Sequence, residues 1–298
     1  MAGRFRNRVI LASLALMAGL CPLAPSGRAQ DKVPAPVPAG QRILSAGHSF
    51  HVFMPGILKD LARGAGIKDH AQVELQSIGG SRVIQHWDLA EEKNKAKAAL
   101  RTGAVDVFTL SPIYLPDEGI ANFTAFALEH NPQVRVTVQE FWLPYDTYDP
   151  TRKQVDKPDR NALGVEELRK RHEPYFKSMD DHVRELNQKH GKSVVFVVPV
   201  GQAVLGLREK IIAGEAPGLK TQEELFTDAI GHVHAPIQAL NAYCHFAVIY
   251  RKSPVGLPLP GVLAKSALPD EDKARLNLLL QKLAWEAVLG HPLSGVKP

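Results

Sequence analysis

The sequence predicts an α/β fold with a mainly parallel, five-stranded sheet between two layers of helices. The first observation is that strand-like and helix-like runs alternate from residue 42 onwards, as they do in parallel sheets. The second is the run 193–199, which is almost wholly β-branched and aromatic, as in strands buried on both faces. The third is size, because 298 residues that are 45% hydrophobic suffice for one sizeable core.

The predicted elements succeed one another in the order that such a sheet requires. Apolar runs predict strands at 42–47, 72–77, 105–110, 134–139 and 193–199. Amphipathic runs predict helices at 52–64, 90–101, 117–129, 165–190, 201–213, 236–250 and 270–289. The longest of these helices contains Pro174, which predicts either a kink or a late start.

Residues 1–29 have the pattern of an export signal. Three arginines near the start precede an apolar run at 9–20, and 27–29 offer a cleavage site between small residues. We therefore predict a secreted or periplasmic protein whose mature chain begins at Gln30 and has no stable membrane insertion. A lipid attached to Cys21 is the alternative.

The rest of the chain is predicted to contain a Pro- and Ala-rich linker at 30–41 and a single domain at 42–298. An irregular, Asp- and Pro-rich insertion at 143–163 begins after a strand end, which indicates a lid or rim.

Charge and cysteine content narrow the classes of function. The whole chain has 36 Lys and Arg against 31 Asp and Glu, but four of the bases lie in the signal segment. The mature chain then carries 32 bases against 31 acids, a balance that does not indicate a nucleic-acid partner. It retains Cys244 alone, so no intrachain disulfide is expected.

Ser49 is the first candidate catalytic residue. It follows Gly47 at the end of the first predicted strand and precedes the first predicted helix. A serine there has its hydroxyl at the ligand-binding edge of a parallel sheet and its amide near a helix N-terminus. This position suits a nucleophile whose own N–H stabilises an oxyanion. An ordinary turn with a serine helix cap is the structural alternative.

Asp228 and His232 are the matching candidates for an acid and a base. Both lie shortly before the predicted helix 236–250. If this segment returns to the edge that carries Ser49, the imidazole can take the serine proton while the carboxylate fixes its tautomer. His234 is a second candidate base, and a helix cap and a surface loop are the structural alternatives.

These blocks resemble the SGNH (GDSL-like) family of esterases and lipases over residues 42–254. The residues 47–50, 78–81 and 228–232 stand in the order of the family's first, second and last blocks. The resemblance implies a flavodoxin-like three-layer fold and an exported esterase that needs no cofactor. It also implies an oxyanion hole formed by Ser49 and Gly80.

Two departures from the family pattern concern catalysis. The family's third block contains an Asn. This chain has Thr109 and Ser111 at the end of its third predicted strand, so the hydroxyl of Ser111 or of Thr109 is the candidate replacement in the oxyanion hole. Three residues, rather than two, separate Asp228 from His232. The missing Asn favours a second class of function, a catalytically degenerate protein of this type that binds a glycan.

The substrate predicted for an exported esterase of this type is a small-molecule or glycan ester. Aromatic and acidic residues mix in 139–146, where Glu140 and Trp142 suit a sugar ring. Arg82 follows the glycine pair and can contact an anionic substrate group. Lid packing and a rim ion pair are the structural alternatives for these residues.

A zinc-dependent hydrolase is the third reading. His48 and His51 flank the serine, and His232 and His234 have a spacing that metal sites use, with Asp228 as a further ligand. The sequence lacks a closely spaced ligand signature such as His-Glu-x-x-His, so we predict no metal.

Overall fold

The computed structural model describes residues 1–3, 35–149 and 158–297. Contacts divide the chain into Met1–Lys32 and a compact unit, Val33–Pro298. The predicted cleavage site with Gln30, Cys21 and residues 150–157 of the predicted insertion lie outside the described residues. None of the helices in the described part of the chain has the length and apolar character needed to cross a membrane.

A five-stranded, wholly parallel sheet forms the centre of the described unit. Its strands are Arg42–Gly47 (β1), Ala71–Ser77 (β2), Val107–Leu110 (β3), Arg135–Gln139 (β4) and Val195–Val198 (β5). The strand order is β2-β1-β3-β4-β5, which is the order of flavodoxin-like sheets. The predicted α/β class, strand number and parallel direction are confirmed.

Helices fill the connections between the strands and follow the last strand. They are Met54–Gly64 (α1), Val83–Trp87 (α2), Lys95–Arg101 (α3), Glu118–His130 (α4), Val165–Lys189 (α5), Val200–Ile212 (α6), Ala235–Tyr250 (α7), Gly261–Ala264 (α8) and Asp270–Gly290 (α9). Short 3₁₀ turns occur at Glu91–Lys93, Pro144–Asp146, Arg160–Ala162 and Gln222–Leu225. Two groups of helices, α2–α4 and α1 with α6, α7 and α9, pack within their own group, consistent with the predicted three layers.

Burial along the strands follows their place in the sheet. The strands β3 and β5 are buried at every residue, as apolar runs covered on both faces should be. The edge strand β2 is mostly exposed or half-buried. At the other edge, the backbone N–H of Val197 donates to the carbonyl of Leu293 (2.9 Å), so the C-terminal segment covers β5.

One helix begins five residues later than predicted, and the longest helix keeps its predicted start. The predicted helix 90–101 begins only at Lys95, because the Asn94 side chain accepts from the Lys97 N–H (2.9 Å) and caps it there. The helix α5 does not begin late, since it starts at Val165 and includes Pro174. The Ser178 hydroxyl donates to the carbonyl of Pro174 (2.8 Å).

The helix α7 is the most buried helix of the domain. Its side chains are buried from Asn241 to Tyr250, because α1 and α9 pack against it. Cys244 lies in this stretch, and burial raises the pKa of its thiol. The polar residues of α7 are therefore buried with its apolar ones, which matters for the site below.

Candidate active site

Ser49 lies in the turn between β1 and α1, at the carboxyl end of the sheet. It is exposed, whereas its neighbours His48 and Phe50 are buried. The turn is tight, because the N–H of His51 donates to the carbonyl of His48 (2.8 Å). A Cβ on Gly47 would approach the His51 ring to 2.9 Å, so only glycine leaves room for this turn.

The loop between the 3₁₀ turn 222–225 and α7 brings an acid and a base to this serine. His232 Nε2 lies 2.8 Å from Ser49 Oγ, and His232 Nδ1 lies 2.6 Å from Asp228 Oδ2. Because the carboxylate only accepts, the imidazole proton is on Nδ1 and Nε2 accepts from the serine hydroxyl. The three side chains thus form a continuous hydrogen-bonded chain from carboxylate to hydroxyl.

The three-residue gap between Asp228 and His232 is accommodated by a closed turn. Asp228 Oδ1 accepts from the backbone N–H groups of Gly231 (2.9 Å) and His232 (3.1 Å). Gly231 has a φ of +108°, which favours glycine. Burial opposes ionisation of Asp228, but the hydrogen bonds from His232 and Gly231 lower the pKa of its carboxyl. The acid is therefore ionised when it contacts the imidazole.

His234, the second candidate base, lies elsewhere. Its backbone N–H donates to the carbonyl of Leu225 (2.9 Å), and its side chain is exposed beside a cavity of about 550 Å³. Val233 between the two histidines is buried and pairs with Phe226 in an isolated β-bridge. Of the two histidines, His232 is the one that contacts Ser49.

Phe50 connects the serine turn to the histidine loop. Its ring stacks on Trp142 (4.8 Å between centroids) and meets the His232 ring edge to face (5.4 Å). The indole N–H of Trp142 donates to the carbonyl of Gly231 (2.7 Å). One aromatic cluster therefore touches the loop of the base and the residue next to the serine.

Gly80, the predicted oxyanion donor, lies in an exposed turn with a φ of +60°. The N–H of Ile78 donates to the carbonyl of Gly47 (3.2 Å), which ties this turn to the end of β1. The buried hydroxyl of Ser81 donates to the carbonyl of Ile78 (2.9 Å) and accepts from His86 Nε2 (2.8 Å). The side chains of Ser81 and His86 thus hold the glycine turn in place.

Ser111 lies directly after β3 and is 1% exposed. Its hydroxyl lies 3.3 Å from His48 Nε2. His48 Nδ1 accepts from the N–H of Phe50 (3.3 Å), so the proton of a neutral His48 ring is on Nε2 and faces Ser111. Ser111 is a buried partner of His48, and its burial does not favour direct contact with a substrate oxygen.

The three predicted substrate contacts have structural partners instead. Trp142 is 0% exposed and supports the loop at Gly231, and Glu140 is 0% exposed as well. Arg82 donates to the carbonyl of Pro116 (3.1 Å) and lies 3.6 Å from Asp117. Burial removes the first two from contact with substrate, and the two residues before α4 bind the third. Composition next to a strand end did not show which side chains point inward.

Glu140 belongs to a separate cluster with Asp180 and His291. His291 Nε2 lies 3.3 Å from a carboxylate oxygen of each acid. Burial opposes protonation of His291, but the two carboxylates outweigh it and raise the pKa of the ring to about 9. Within the described ranges this is the one group of side chains spaced to hold a metal ion.

The histidines of the predicted zinc site do not converge in the structure. His51 is buried and bonded to Gln139 and Thr109, His48 contacts Ser111, and His232 contacts Ser49. Each ring is therefore engaged in a different hydrogen-bonded chain. The zinc reading finds no support in this arrangement.

Residues of the predicted insertion brace the loop of the base. Arg160 is buried and donates to the carbonyl of Ala229 (2.9 Å). Asp146 is also buried and forms a bidentate pair with Arg208 (2.7 and 2.9 Å). Where the structure describes it, the segment 143–163 contributes Arg160 to the support of the histidine loop.

Comparison with known proteins gives four chains of similar structure, two of which are the following. One is a GDSL-like lipase candidate from Parabacteroides merdae, with a TM-score of 0.43, 13% identity and coverage of 71% of this chain and 95% of that chain. The other is phospholipase A1 from Streptomyces albidoflavus, with a TM-score of 0.42, 12% identity and coverage of 71% and 100%. No protein-family profile and no curated protein matches the chain. At these scores neither structure indicates what this chain acts on.

Proposed function

We propose that this chain is an exported serine hydrolase of the SGNH type that cleaves an ester. The observation that carries the proposal is the hydrogen-bonded chain from Asp228 through His232 to the exposed Ser49 hydroxyl. Both hydrogen bonds are short, and together they have the order that nucleophilic catalysis by serine requires.

In the first step, Ser49 Oγ attacks the ester carbonyl carbon while His232 Nε2 takes the hydroxyl proton. Asp228 accepts from Nδ1 of the imidazolium that forms and stabilises its charge. The carbonyl π electrons move to oxygen, and the backbone N–H groups of Ser49 and Gly80 are the proposed donors to this oxyanion.

In the second step, the tetrahedral intermediate collapses and the bond to the alcohol oxygen breaks. His232 returns its proton to the departing alcohol, which leaves an acyl ester on Ser49. Water then attacks this ester with His232 as the base, and the carboxylic acid leaves as the serine is restored.

The proposed substrate is an ester of a small polar molecule or of a carbohydrate outside the cytoplasm. Export is supported by the signal-like pattern of 1–29, and the carbohydrate by the resemblance described above. The exposure of Asp228 and His232, 42% and 37% for their side chains, is compatible with a polar substrate that reaches the site from solvent.

Turnover of a short-chain p-nitrophenyl ester and labelling by a fluorophosphonate test this proposal on the full chain. We expect the wild-type protein to turn over the ester and to gain one phosphonyl group on the peptide with Ser49. Ser49→Ala should do neither, and the exposed Ser193→Ala should match the wild type. A wild-type protein that is folded but neither hydrolyses nor labels would contradict the proposal.

The second candidate function is that of a glycan-binding protein of the same type that has lost catalysis. The observation that favours it is the end of β3, where no Asn is present and Ser111 is buried. The loss of one oxyanion donor reduces the rate roughly 100- to 1000-fold, so the missing Asn is also compatible with a hydrolase of reduced activity. Specific binding on a glycan array by an unreactive wild-type protein would support this candidate.

A further inference from the structure

A buried polar network lies beneath the serine turn and has no place in the mechanism above. Gln139, the last residue of β4, lies at the centre of this network and is 0% exposed. The other polar members come from the turn before α1 and from α7: His51, Asn241 and His245, each of them 0% exposed. Burying four such groups is costly unless hydrogen bonds compensate, so their arrangement is strongly specified.

The Gln139 amide joins these groups at one point. Its Oε1 accepts from His51 Nδ1 (2.8 Å), from the amide of Asn241 (3.0 Å) and from His245 Nε2 (3.0 Å). Its Nε2 donates to the backbone carbonyl of Phe50 (3.0 Å). Because the Phe50 carbonyl can only accept, the amide must point its N–H group at Phe50 and its oxygen at the other three groups.

The chain of hydrogen bonds continues from His51 to side chains of β3 and β1. Because His51 Nδ1 carries a proton toward Gln139, His51 Nε2 is unprotonated and accepts a hydrogen bond from the Thr109 hydroxyl (3.0 Å). Thr109 in turn lies 2.9 Å from the hydroxyl of Ser45 on β1. Strands β1, β3 and β4 thereby hold the His51 ring, over which the serine turn folds.

We infer that Gln139 is a positioning residue of the site: its amide fixes the Phe50 carbonyl and thereby the turn that presents Ser49 to His232. Phe50 is adjacent to Ser49 in the chain and contacts the His232 ring at 5.4 Å, so one hydrogen bond constrains both partners. This inference rests on the proposed serine hydrolase function. Its structural part, the fixing of the turn, holds or fails independently of activity.

The variant Gln139→Glu tests the donor alone. It keeps an acceptor for His51, Asn241 and His245 but replaces the N–H that faces Phe50 with a carboxyl oxygen. A protonated carboxyl restores a donor, and an ionised one repels the carbonyl. We expect kcat to fall roughly 10- to 100-fold as pH rises through the carboxyl's titration, with KM little changed, because displacement of a reacting group costs about that much.

Thr137→Val is the matched control. Thr137 lies two residues earlier on β4, is 0% exposed, and its hydroxyl has no hydrogen-bond partner among the described residues. It should keep the wild-type kcat and pH profile. The titratable groups facing position 139 are His51 and His245, so the new carboxyl titrates together with them, and the difference from Thr137→Val reports this coupled group.

Amide hydrogen exchange of residues 48–52 gives a readout without activity. At the higher pH we expect faster exchange in Gln139→Glu than in the wild type at the same pH. Exchange in Thr137→Val should equal that of the wild type. If the wild type proves inactive, the proposed function fails while this readout still decides the positioning role. Wild-type kcat, pH profile and exchange in Gln139→Glu would overturn the inference.

If Gln139→Glu does not fold, Thr109→Val takes its place. This variant leaves Gln139 intact but removes the hydroxyl proton that His51 accepts. We expect a smaller loss in kcat and faster exchange at 48–52. A folded Thr109→Val protein that matches the wild type in both measurements would contradict the proposed role of the network.

Discussion

The indole N–H of Trp142 donates to the carbonyl oxygen of Gly231 across 2.7 Å. Gly231 directly precedes His232, and the same indole ring stacks on Phe50 beside Ser49. A residue that follows β4 therefore sets the separation of the base from the nucleophile. The relationship explains why a buried tryptophan lies next to a site whose polar side chains are half exposed.

Trp142→Phe should reduce turnover as well as stability. Loss of the donor leaves the Gly231 carbonyl without this partner, which costs about 1–3 kcal/mol of unfolding free energy. We expect kcat to fall roughly tenfold or more because the His232 loop is no longer fixed. Ester turnover and denaturant unfolding measure the two effects.

Trp87→Phe is the control for this prediction. Trp87 is in α2, packs against Phe123 and Phe126, and has Lys97 over its ring. Its replacement should lower stability and leave kcat at the wild-type value. Equal kcat in both variants would show that the bond to Gly231 has no effect on the site.

His232→Ala and His234→Ala should differ strongly in rate. His232 contacts Ser49 and Asp228, so its loss should reduce ester turnover roughly a thousand-fold or more. His234 is exposed and contacts neither residue through any described hydrogen bond, so its variant should remain near the wild-type rate. A nearly wild-type His232→Ala beside an inactive His234→Ala would reassign the base.

Catalysis should survive the removal of metal ions. Ser49, His232 and Asp228 already supply nucleophile, base and orienting acid, and the zinc reading requires histidines that lie in different hydrogen-bonded chains. Ester turnover after dialysis against a chelator should equal that of the untreated protein. Activity that is lost with chelator and restored by zinc would contradict the serine mechanism.

The sequence was sufficient for the sheet and for the set of Ser49, Asp228 and one of two histidines as candidates. Parallel strands deliver their carboxyl ends to one edge, so residues after β1 and β3 had to be near one another. The choice between His232 and His234 was not predictable. It depends on the turn in which Asp228 accepts from Gly231, and a three-residue gap permits either histidine.

Two other features were not predicted from the sequence: the inward orientation of Glu140 and Trp142, and the network around Gln139. Glu140 and Trp142 follow β4 directly, and only packing against α5 and the histidine loop decides that they point inward. The Gln139 network does have a signal in the sequence. Asn241 and His245 are four residues apart in an otherwise apolar helix, so they share a buried face that needs a polar partner.

The domain should lose stability as pH falls from about 6.5 to about 4. Burial lowers the pKa of His51, His86 and His172 to about 4 in the folded protein. In the unfolded chain their pKa is near the ordinary value of about 6.5. Between these values the unfolded chain binds more protons, so acidification favours unfolding.

The expected slope is up to about 1.4 kcal/mol of unfolding free energy per pH unit for each buried histidine. Above about pH 7 the contribution is complete, because neither state is protonated there. Denaturant unfolding at several pH values measures this slope, provided the midpoint and the m-value are both followed.

His172→Gln is the variant that isolates one of these groups. His172 Nδ1 donates to the carbonyl of Leu168 (2.7 Å), and its Nε2 accepts from the N–H of Leu143 (3.3 Å). Glutamine can supply both a donor and an acceptor but does not titrate. The slope should therefore fall by up to about 1.4 kcal/mol per pH unit, the contribution of one proton. Ser193→Ala, at an exposed position without a titratable group, should keep the wild-type slope. An unchanged slope in His172→Gln would mean that His172 is not buried in its neutral form.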